Sequence, residues 1–408
     1  MSLESKKILL VIGGGISAYK SLDLIRMLQR KGSSVKVVLT KSGKKFVTSL
    51  SISSLSKNRV FEEIFDQKNK GKIDHISLSR WADLILVVPT TANFMSKLSK
   101  GGADDLASTI ILASNKDIFL VPAMNVRMWL HKATQKNLNT LIDYGYKFIG
   151  PEDGEMACGE YGKGKMSSPR QILSLLERFF KKKDLLKKKK INAIVTTGPT
   201  KEYMDPVRFI SNESSGKQGY EIALELSRLG IKTTLISGPT KLTYSRDIKV
   251  KKVISGEDMF KAVKEKLPTH IAVCAAAVSD FKPLSIKKNK IKKHSIINEI
   301  KIQQNTDILE YLGRNNRYKP KLLVGFSAET DDVIKNSTKK MQEKFCDIII
   351  ANDVSKKGLG FNSDQNEVTI IDKKGKIQKI QKSSKRFIAS LIAKKIVDTF
   401  LLNEKSLN

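Results

Sequence analysis

Short apolar runs alternate with longer amphipathic runs through the first half of the chain. Residues 8–12 form an apolar run that enters a glycine triplet and predicts a strand over residues 7–12. Apolar positions at helical spacing follow and predict a helix over residues 17–31. The same alternation predicts strands at residues 34–40, 83–88 and 117–121 and helices at residues 92–100, 104–115 and 134–144. Strands that are apolar on both faces are typical of parallel sheets covered by helices, so a doubly wound α/β domain is predicted.

The second half repeats this alternation after residue 190. Strands are predicted at residues 193–197, 232–237, 270–276, 321–326 and 347–351, and helices at residues 219–229, 257–267, 306–315 and 333–345. Residues 367–372 and 376–381 flank a Lys-Lys-Gly turn, which predicts a β-hairpin. The fold class is therefore α/β, with two doubly wound (Rossmann- or flavodoxin-like) domains whose sheets are mainly parallel. In such sheets, ligands bind beyond the carboxyl ends of the strands.

A lysine-rich segment separates the two halves. Seven of the ten residues at 181–190 are lysines, which repel one another and cannot face a core. We predict a solvated linker or helix end here, with a phosphate-binding patch as the less favoured alternative. The expected domains are residues 1–180 and 191–402, joined by this Lys-rich linker.

The composition, 40% apolar and 28% charged, is that of globular domains. A formal net charge of +33 is compatible with a nucleic-acid partner. However, 61 of the 74 basic residues are lysines spread along the whole chain, and only 13 are arginines, which base-edge and bidentate phosphate contacts favour. We therefore expect no nucleic-acid partner, while small phosphorylated substrates suit the same charge.

No apolar stretch approaches the roughly 20 residues that span a bilayer, so no membrane partner is expected. The N-terminal apolar run is too short for a signal peptide and is interpreted as a strand. Three widely spaced cysteines and four histidines suggest neither a disulfide framework nor a metal-ligand pattern. A cytoplasmic location is the expectation.

The glycine triplet after the first strand is a candidate phosphate-binding turn. Residues 13–18 fit the G-x-G-x-x-G/A pattern, but dinucleotide binding also needs an acidic residue after the second strand, where Thr40 and Lys41 stand. A short turn before a helix still binds anions, and Thr40 with Ser42 adds hydroxyl donors. We therefore favour a mononucleotide phosphate, such as that of FMN, over NAD.

Four further residues of the first half are candidates for chemistry. Asn93 follows a strand exit, where it is either a helix cap or an amide beside a flat ring. Asn125 is likewise a cap or a carboxylate-binding amide, and His75 is either a satisfied or surface histidine or a functional one. Cys158 lies in a polar flap with four glycines, residues 152–166, where reactive thiols occur.

Three motifs together carry a specific resemblance. They are His75 with residues 76–78, Pro122-Ala123-Met124-Asn125-x-x-Met128-Trp129, and Ala157-Cys158-Gly159-Glu160-x-Gly162-x-Gly164-Lys165-Met166. With them, the first half resembles the flavin-containing cysteine decarboxylases, a family that includes phosphopantothenoylcysteine decarboxylase. Lys165 stands where relatives often have Arg.

This resemblance implies a bound FMN and a redox-assisted loss of CO₂. The implied FMN contacts are Gly15, Ser17, Thr40, Thr90 and Asn93. In the implied reaction the flavin oxidises the substrate thiol to a thioaldehyde, CO₂ leaves, and the enethiolate is then reduced. His75 would assist thiol deprotonation, Asn125 would hold the departing carboxylate, and Cys158 would protonate the enethiol intermediate.

A polar, turn-rich segment at residues 197–219 opens the second half. It contains Gly216-Lys217 but is not a Walker A loop, because Ser211 stands at the first glycine position and Gln218 at the Ser/Thr position. The segment instead resembles the signature of phosphopantothenate–cysteine ligases, although relatives often have Met at position 218, Ala at 279 and Pro at 306. Further matches are residues 275–281, 290–293, 305–308, 325–330 and 351–354, with Lys340 and Lys344 one turn apart.

The second resemblance implies a CTP-dependent ligation. The carboxylate of 4′-phosphopantothenate would attack the α-phosphate of CTP, and the amine of cysteine would displace CMP from the acyl-cytidylate, with Mg²⁺ and lysines neutralising charge. Asn212 is assigned to the acyl-cytidylate, Asp280 to the metal or ribose, and Lys290 to the triphosphate. Lys340 and Lys344 are assigned to phosphates. The other implied CTP contacts are Ala275, Ala276, Asn305, Thr306, Asp307, Ile308 and Phe326.

Together the resemblances cover nearly the whole chain in the order of the fused bacterial enzymes of coenzyme A biosynthesis. They imply conversion of 4′-phosphopantothenate and cysteine to 4′-phosphopantetheine by a homo-oligomer with trimeric decarboxylase and dimeric ligase contacts, up to a dodecamer. The alternatives are another flavin-dependent cysteine decarboxylase and a non-catalytic FMN-binding regulator. The motifs after residue 190 disfavour the first, and the presence of His75, Asn125 and Cys158 disfavours the second.

Overall fold

Two units, Met1–Asp184 and Leu185–Asn408, make up the chain. The structure, a computed structural model, describes residues 3–64, 74–291, 299–355 and 363–406. None of the helices in these ranges combines the length and the apolar character that crossing a bilayer requires.

In the first unit, strands and helices alternate as the hydrophobic pattern predicts. The strands are β1 (Lys7–Ile12), β2 (Ser34–Leu39), β3 (Val60–Phe61), β4 (Leu84–Thr90), β5 (Asp117–Pro122), β6 (Lys147–Phe148), β7 (Glu152–Glu155) and β8 (Tyr161–Lys165). The helices are α1 (Lys20–Arg30), α2 (Ser49–Ser56), α3 (Asp74–Trp81), α4 (Ala92–Ser99), α5 (Leu106–Leu112), α6 (Val126–Leu130), α7 (Lys132–Asp143) and α8 (Pro169–Lys188), with 3-10 turns at Ile16–Tyr19 and Gly43–Lys45.

The main sheet of this unit is parallel, in the order β3-β2-β1-β4-β5-β6. Along the central strand β1, Leu9 and Val11 pack into one buried cluster, while Ile8, Leu10 and Ile12 pack into another. Both faces of the sheet are therefore covered, which confirms the doubly wound prediction. Because the chain order reverses between β1 and β4, the ligand crevice of such a sheet is expected at their carboxyl ends.

The second unit repeats the alternation. Its strands are β9 (Asn192–Thr197), β10 (Glu202–Tyr203), β11 (Phe209–Ile210), β12 (Lys232–Ser237), β13 (Lys249–Lys252), β14 (Ile271–Cys274), β15 (Phe281–Pro283), β16 (Ile302–Gln304), β17 (Leu322–Glu329), β18 (Ile348–Asp353), β19 (Gln365–Asp372) and β20 (Ile377–Ser384). Its helices are α9 (Lys217–Arg228), α10 (Gly256–Lys264), α11 (Ile308–Arg314), α12 (Val333–Glu343) and α13 (Lys385–Ser406).

The large sheet of this unit is mainly parallel. Its order is β13-β12-β9-β14-β17-β18-β19-β20, and pairing is parallel as far as β18. β19 pairs antiparallel with both β18 and β20, so the predicted hairpin is confirmed. β9 is central, with the buried side chains of Val195 on one face and Ile194 on the other.

The segment predicted as a Lys-rich linker is mostly helical. α8 continues to Lys188, because Leu173, Leu176 and Phe180 recur at helical spacing and are buried. Lys183 lies within this helix and donates a hydrogen bond of 2.9 Å to Asp117. We expected either a solvated linker or a helix end at residues 181–190, and the structure shows mostly a helix end.

Candidate active sites

The loop after β1 lies directly against the last residues of β4 and the loop after β2. A Cβ on Gly13 would lie 2.3 Å from the backbone oxygen of Pro89, and one on Gly14 would lie 2.5 Å from Cβ of Ser42, so only glycine allows this approach. Gly15 has a φ of 147° and leads into the 3-10 turn that contains the half-buried Ser17. The two loops and the end of β4 thus form one cradle at the carboxyl edge of the sheet.

Two of the implied FMN contacts, Thr40 and Thr90, use their hydroxyl groups within the protein. Thr40 Oγ1 donates to the last carbonyl of β1 and accepts from the backbone N–H of Gly43, both at 3.0 Å. Thr90 is fully buried, and its Oγ1 donates to the carbonyl of Val87 at 2.9 Å and accepts from the N–H of Val121 at 3.1 Å.

The hydroxyl of Thr90 is therefore engaged within the protein, and the FMN contact implied for this residue stays a prediction. We predicted that the strand ends at residue 88, whereas β4 continues to Thr90, whose side chain links β4 to β5. Asn93, in contrast, is exposed in the first turn of α4. The cap of that helix is Thr91, which accepts from the N–H of Phe94 at 3.2 Å and so leaves the amide of Asn93 out of the capping role.

Asn125 takes the first of the two roles considered from the sequence, and the second stays a prediction. Its Oδ1 accepts from the N–H of Met128 at 2.8 Å, so Asn125 caps α6. Within the described residues, its Nδ2 has no hydrogen-bond acceptor. The cap fixes the side chain, and the amide N–H groups stay available to a carboxylate.

The flap that carries Cys158 is a β-hairpin of β7 and β8, with the exposed Cys158 at its tip. Gly164 accepts from the N–H of Met124 at 3.1 Å, and a Cβ on Gly164 would lie 2.3 Å from the oxygen of Met124. A Cβ on Gly162 would lie 2.6 Å from Val126. These glycines therefore seat the hairpin against the loop that bears Asn125.

His75 is the second residue of α3, the helix that precedes β4. Its Nδ1 is buried, and no hydrogen-bond partner for it exists among the described residues. The alternative of an internally satisfied histidine therefore does not hold for this nitrogen. A buried imidazole nitrogen without a partner can take one from a ligand.

In the second unit, a cavity of about 670 Å³ lies at the carboxyl ends of β9, β14 and β17. Its walls include Asn212 and every implied CTP contact except Lys290. These contacts are Ala275, Ala276, Asp280, Asn305, Thr306, Asp307, Ile308, Phe326, Lys340 and Lys344.

One wall is the first turn of α9. Gly216, with a φ of 72°, precedes the helix and accepts a hydrogen bond of 2.7 Å from Oγ1 of the buried Thr197. A Cβ on Gly219 would lie 2.5 Å from the same Oγ1, so glycine lets the helix start beside the end of β9. The first-turn N–H groups of α9 are not used within the helix, and this arrangement favours anions.

The opposite wall is held together by Asn305. Its backbone N–H donates to the carbonyl of Asp280 at 2.8 Å, and its Nδ2 donates to the carbonyl of Ser279 at 3.2 Å. Its Oδ1 accepts from the N–H of Thr306 at 3.1 Å. Asn305 thus shapes the wall with its side chain, while the carboxylate of Asp280 is exposed.

The two lysines assigned to phosphates have different surroundings. Lys344 Nζ lies 2.6 Å from Glu310 Oε2 and 3.1 Å from Asp307 Oδ2. The hydrogen bond that Lys344 donates to Glu310 raises the pKa of Lys344; partial burial opposes this shift and Asp307 adds to it. Lys340 lines the cavity one turn earlier on α12, and none of the ion pairs among the described residues involves it.

The structure brings Asn212 to the cavity but not Lys290. Asn212 Nδ2 donates to the carbonyl of Val278 at 3.0 Å. Lys290 is exposed and outside the cavity walls, next to Ile291, whose N–H donates to Asp205 Oδ2 at 3.2 Å. The neighbouring motif residues Lys292 and Lys293 lie outside the described residues.

Sequence reasoning missed Lys385 and Asn366, which also line the cavity and are only 6% and 4% exposed. Nothing in the sequence separates Lys385 from the other 60 lysines. Its burial at the start of α13 becomes visible only in the fold.

Comparison with known proteins assigns the chain to a family. Residues 1–181 match a family model described as Flavoprotein, and residues 186–400 match one described as DNA/pantothenate metabolism flavoprotein C-terminal domain. The chain is 40% identical over 401 residues to the coenzyme A biosynthesis bifunctional protein CoaBC of Haemophilus influenzae, covering 98% of this chain and 99% of that one. The chain belongs to the CoaBC family.

Other relatives agree. The CoaBC protein of Bacillus subtilis is 38% identical over 396 residues, covering 97% of each chain. A crystal structure of a CoaBC C-terminal domain is 34% identical, with a TM-score of 0.43 over 51% of this chain and 95% of that one. A mutant PPC decarboxylase complexed with pantothenoylaminoethenethiol is 30% identical, with a TM-score of 0.40 over 44% of this chain and 100% of that one.

As a CoaBC protein, the chain is a bifunctional enzyme of coenzyme A biosynthesis, with a flavoprotein decarboxylase domain followed by a ligase domain. The phosphopantothenoylcysteine decarboxylase and phosphopantothenate–cysteine ligase activities predicted from the motifs are confirmed at the level of the family. The alternatives of a lone cysteine decarboxylase and a non-catalytic regulator are not supported, because the similarity spans both halves.

Proposed function

We propose that the ligase cavity binds CTP, 4′-phosphopantothenate and cysteine and forms the amide through an acyl-cytidylate. The observation that carries this proposal is the single cavity whose walls join Asn212 to almost all implied CTP contacts. Its position at the carboxyl ends of parallel strands is where doubly wound sheets bind ligands.

The charges of the walls suit the reaction. A carboxylate must approach a triphosphate, so cations and N–H donors have to offset the repulsion. We assign the first turn of α9 and Lys340 to phosphate oxygens, and Asn212 to the acyl-cytidylate. Lys344, already held by two carboxylates, orients the start of α11.

Mg²⁺ fits this cavity only together with the nucleotide. No group of three potential metal ligands occurs among the described His, Cys, Asp and Glu residues. Mg²⁺ commonly takes one or two carboxylates and completes its shell with phosphates and water. Asp280 is the carboxylate that we assign to this role.

In the decarboxylase domain we propose FMN as the flavin. The cradle formed by Gly13, Gly14 and Gly15 offers backbone N–H groups to a phosphate, Ser17 follows in the 3-10 turn, and Asn93 is exposed in the first turn of α4. When bound, the flavin would supply the two-electron oxidation and reduction. His75 would accept the thiol proton at Nδ1, Asn125 would hold the carboxylate through Nδ2, and Cys158 would deliver a proton from the hairpin.

Replacing Cys158 tests the decarboxylase assignment. Cys158→Ser should retain flavin binding and CO₂ release but stall before the saturated product, because a hydroxyl is a much weaker acid than a thiol. Mass spectrometry would reveal the unsaturated thiol. Full formation of phosphopantetheine by this variant would remove Cys158 from catalysis.

Replacing Asn212 tests the ligase assignment. Asn212→Asp removes the amide donor to Val278 and adds a negative charge beside an anionic intermediate. Ligation should fail while decarboxylation of supplied phosphopantothenoylcysteine continues. Asn316→Asp makes the same chemical change on the surface, outside the cavity walls, and should leave both steps intact. An unimpaired Asn212→Asp ligase would refute the assignment.

The complete reaction can be followed in one assay. Purified protein given 4′-phosphopantothenate, cysteine, CTP and Mg²⁺ should form phosphopantetheine, CMP and CO₂. Replacing CTP by ATP tests the nucleotide, and chelation tests the metal. The expected homo-oligomer, with trimeric and dimeric contacts, stays a prediction that light scattering would check. The cytoplasmic location also stays a prediction.

A further inference from the structure

One end of the ligase cavity is formed by side chains to which the CTP assignment gives no role. They come from the starts of α9 and α13 and from β18 and β19, and they are Lys217, Gln218, Asn352, Asn366 and Lys385. Gln218 Nε2 donates to the carbonyl of Lys385 at 3.1 Å, and Asn366 Nδ2 donates to Asn352 Oδ1 at 3.2 Å. These contacts hold the two helix starts and the strand ends together.

Lys385 is unusual among the lysines because it is only 6% exposed. Burial and the nearby ammonium of Lys217 lower the pKa of Lys385 to about 8, while Asp364 acts in the opposite direction. Lys217 is itself ion-paired with Asp364, whose carboxylate is 82% exposed. Burial raises the pKa of Glu221 on α9, and the charge of Arg386, the next residue of α13, acts in the opposite direction. Within the described part of this end of the cavity, the ammonium groups of Lys217 and Lys385 face the solvated carboxylate of Asp364, which leaves a net positive charge.

We propose that Lys385 binds an anionic group of a ligase reactant, a phosphate or a carboxylate, at this end of the cavity. The anion would meet the ammonium of Lys385 beside the first turn of the 12-residue α9, which begins with Lys217 and whose N–H groups are assigned to phosphate oxygens above. The proposal rests on the ligase chemistry proposed above, in which CTP, 4′-phosphopantothenate and cysteine all carry such a group.

Binding of an anion has a consequence for protons. The anion favours the charged form of Lys385, so the complex should take up a proton when it forms above about pH 8. Affinity should then fall as the pH rises. Lys385→Arg keeps the charge at every accessible pH and should remove this alkaline fall, whereas Lys385→Met keeps most of the stem and removes the charge.

The experiment uses the full-length protein. Calorimetric titrations with CTP–Mg²⁺ and, separately, with 4′-phosphopantothenate would be run at about pH 7 and about pH 9 in buffers of different ionisation enthalpy, and the KM for cysteine would be measured. Lys385→Met should weaken one of the three reactants by about ten- to hundredfold, which identifies the source of the anion. Lys394→Met, on the exposed side of the same helix, should change none of them.

Two results would overturn the proposal. The first is that all three constants stay at wild-type values in Lys385→Met. The second is that Lys385→Arg and Lys385→Met lose all three equally and unfold at a lower temperature, which would make Lys385 a structural residue. If CTP does not bind to the wild-type protein, the nucleotide assignment fails, but the phosphopantothenate and cysteine measurements still decide the role of Lys385.

Discussion

Thr90→Val removes one buried hydroxyl of the decarboxylase domain, which joins strands β4 and β5 next to the loop that carries Asn125. The hydroxyl accepts from the N–H of Val121 and donates to the carbonyl of Val87. The β4–β5 register shifts between Val87 and Thr90, so the side chain supplies the acceptor where the regular ladder is interrupted. The backbone carbonyl of Thr90 also accepts from the N–H of Ala123, in the loop that leads to Asn125.

The magnitude follows from these contacts. Valine has almost the volume of threonine and leaves no cavity, but the buried N–H of Val121 loses its acceptor. An unsatisfied buried donor costs about 1–3 kcal/mol. We therefore expect a loss of about 2 kcal/mol, which lowers the unfolding temperature of a domain of this size by about 4–8 °C.

Thermal unfolding of the flavin-loaded chain, followed by flavin fluorescence, would measure this loss. Thr90→Ser keeps the hydroxyl and should lose only about 1 kcal/mol for its methyl group. Thr140→Val removes a hydroxyl from the solvated face of α7, where it donates to Lys136 at 3.0 Å, and should change stability by less than about 0.5 kcal/mol. If Thr90→Val proves as stable as Thr140→Val, the hydroxyl does not link the strands as argued.

Three further predictions follow from close approaches and charge. Gly164→Ala places a Cβ 2.3 Å from a backbone oxygen and should displace the hairpin, so that decarboxylation falls by on the order of 100-fold while ligation persists; normal decarboxylation would contradict this. Gly219→Ala places a Cβ 2.5 Å from a buried hydroxyl, so ligation should fall while decarboxylation persists. A more stable and active ligase would instead show that the higher helix propensity of alanine outweighs this close contact. Burial alone would raise the pKa of Asp117, but the charges of Lys147 and Lys183 outweigh burial and lower that pKa. The ionised carboxylate therefore stabilises the fold above the unfolded-state pKa of about 3.9, and this stability should be lost as the pH falls through the lower folded-state pKa. Acid titration of Asp117→Asn should lack this component, and an unchanged acid profile would refute it.

The sequence predicted the positions of the main strands along the chain because the parallel strands are apolar on both faces. It predicted boundaries less well where a side chain decides them. α5 starts at Leu106, two residues after the predicted start, because Asp105 and Ser108 form a capping box in front of it. The β7–β8 hairpin was missed as a strand pair, since its glycines give no alternating pattern.

The candidate sites were predictable where a motif marks them and less so where burial does. The ligase motifs, far apart in the chain, meet at one cavity because the carboxyl ends of parallel strands share one edge. Thr90 and Lys385 show the limit. Thr90 lies next to a motif, but its hydroxyl is buried and bonded within the protein. Lys385 belongs to no motif, but it is buried in the cavity wall. Both facts depend on packing between distant segments.

Charge also separates the lysines of the ligase cavity in a way that motif position cannot. The chain has 74 basic and 41 acidic residues, so a carboxylate partner is the exception and marks a lysine whose charge is already balanced. Lys344 lies between Asp307 and Glu310, and Arg314 also pairs with Glu310, so the charge of Lys344 is already balanced and attracts a phosphate less. Asp307 caps α11 through the N–H of Glu310 at 2.9 Å, so Lys344 holds the helix start in place. The task of meeting anions then falls to Lys340 and, in our proposal, to Lys385.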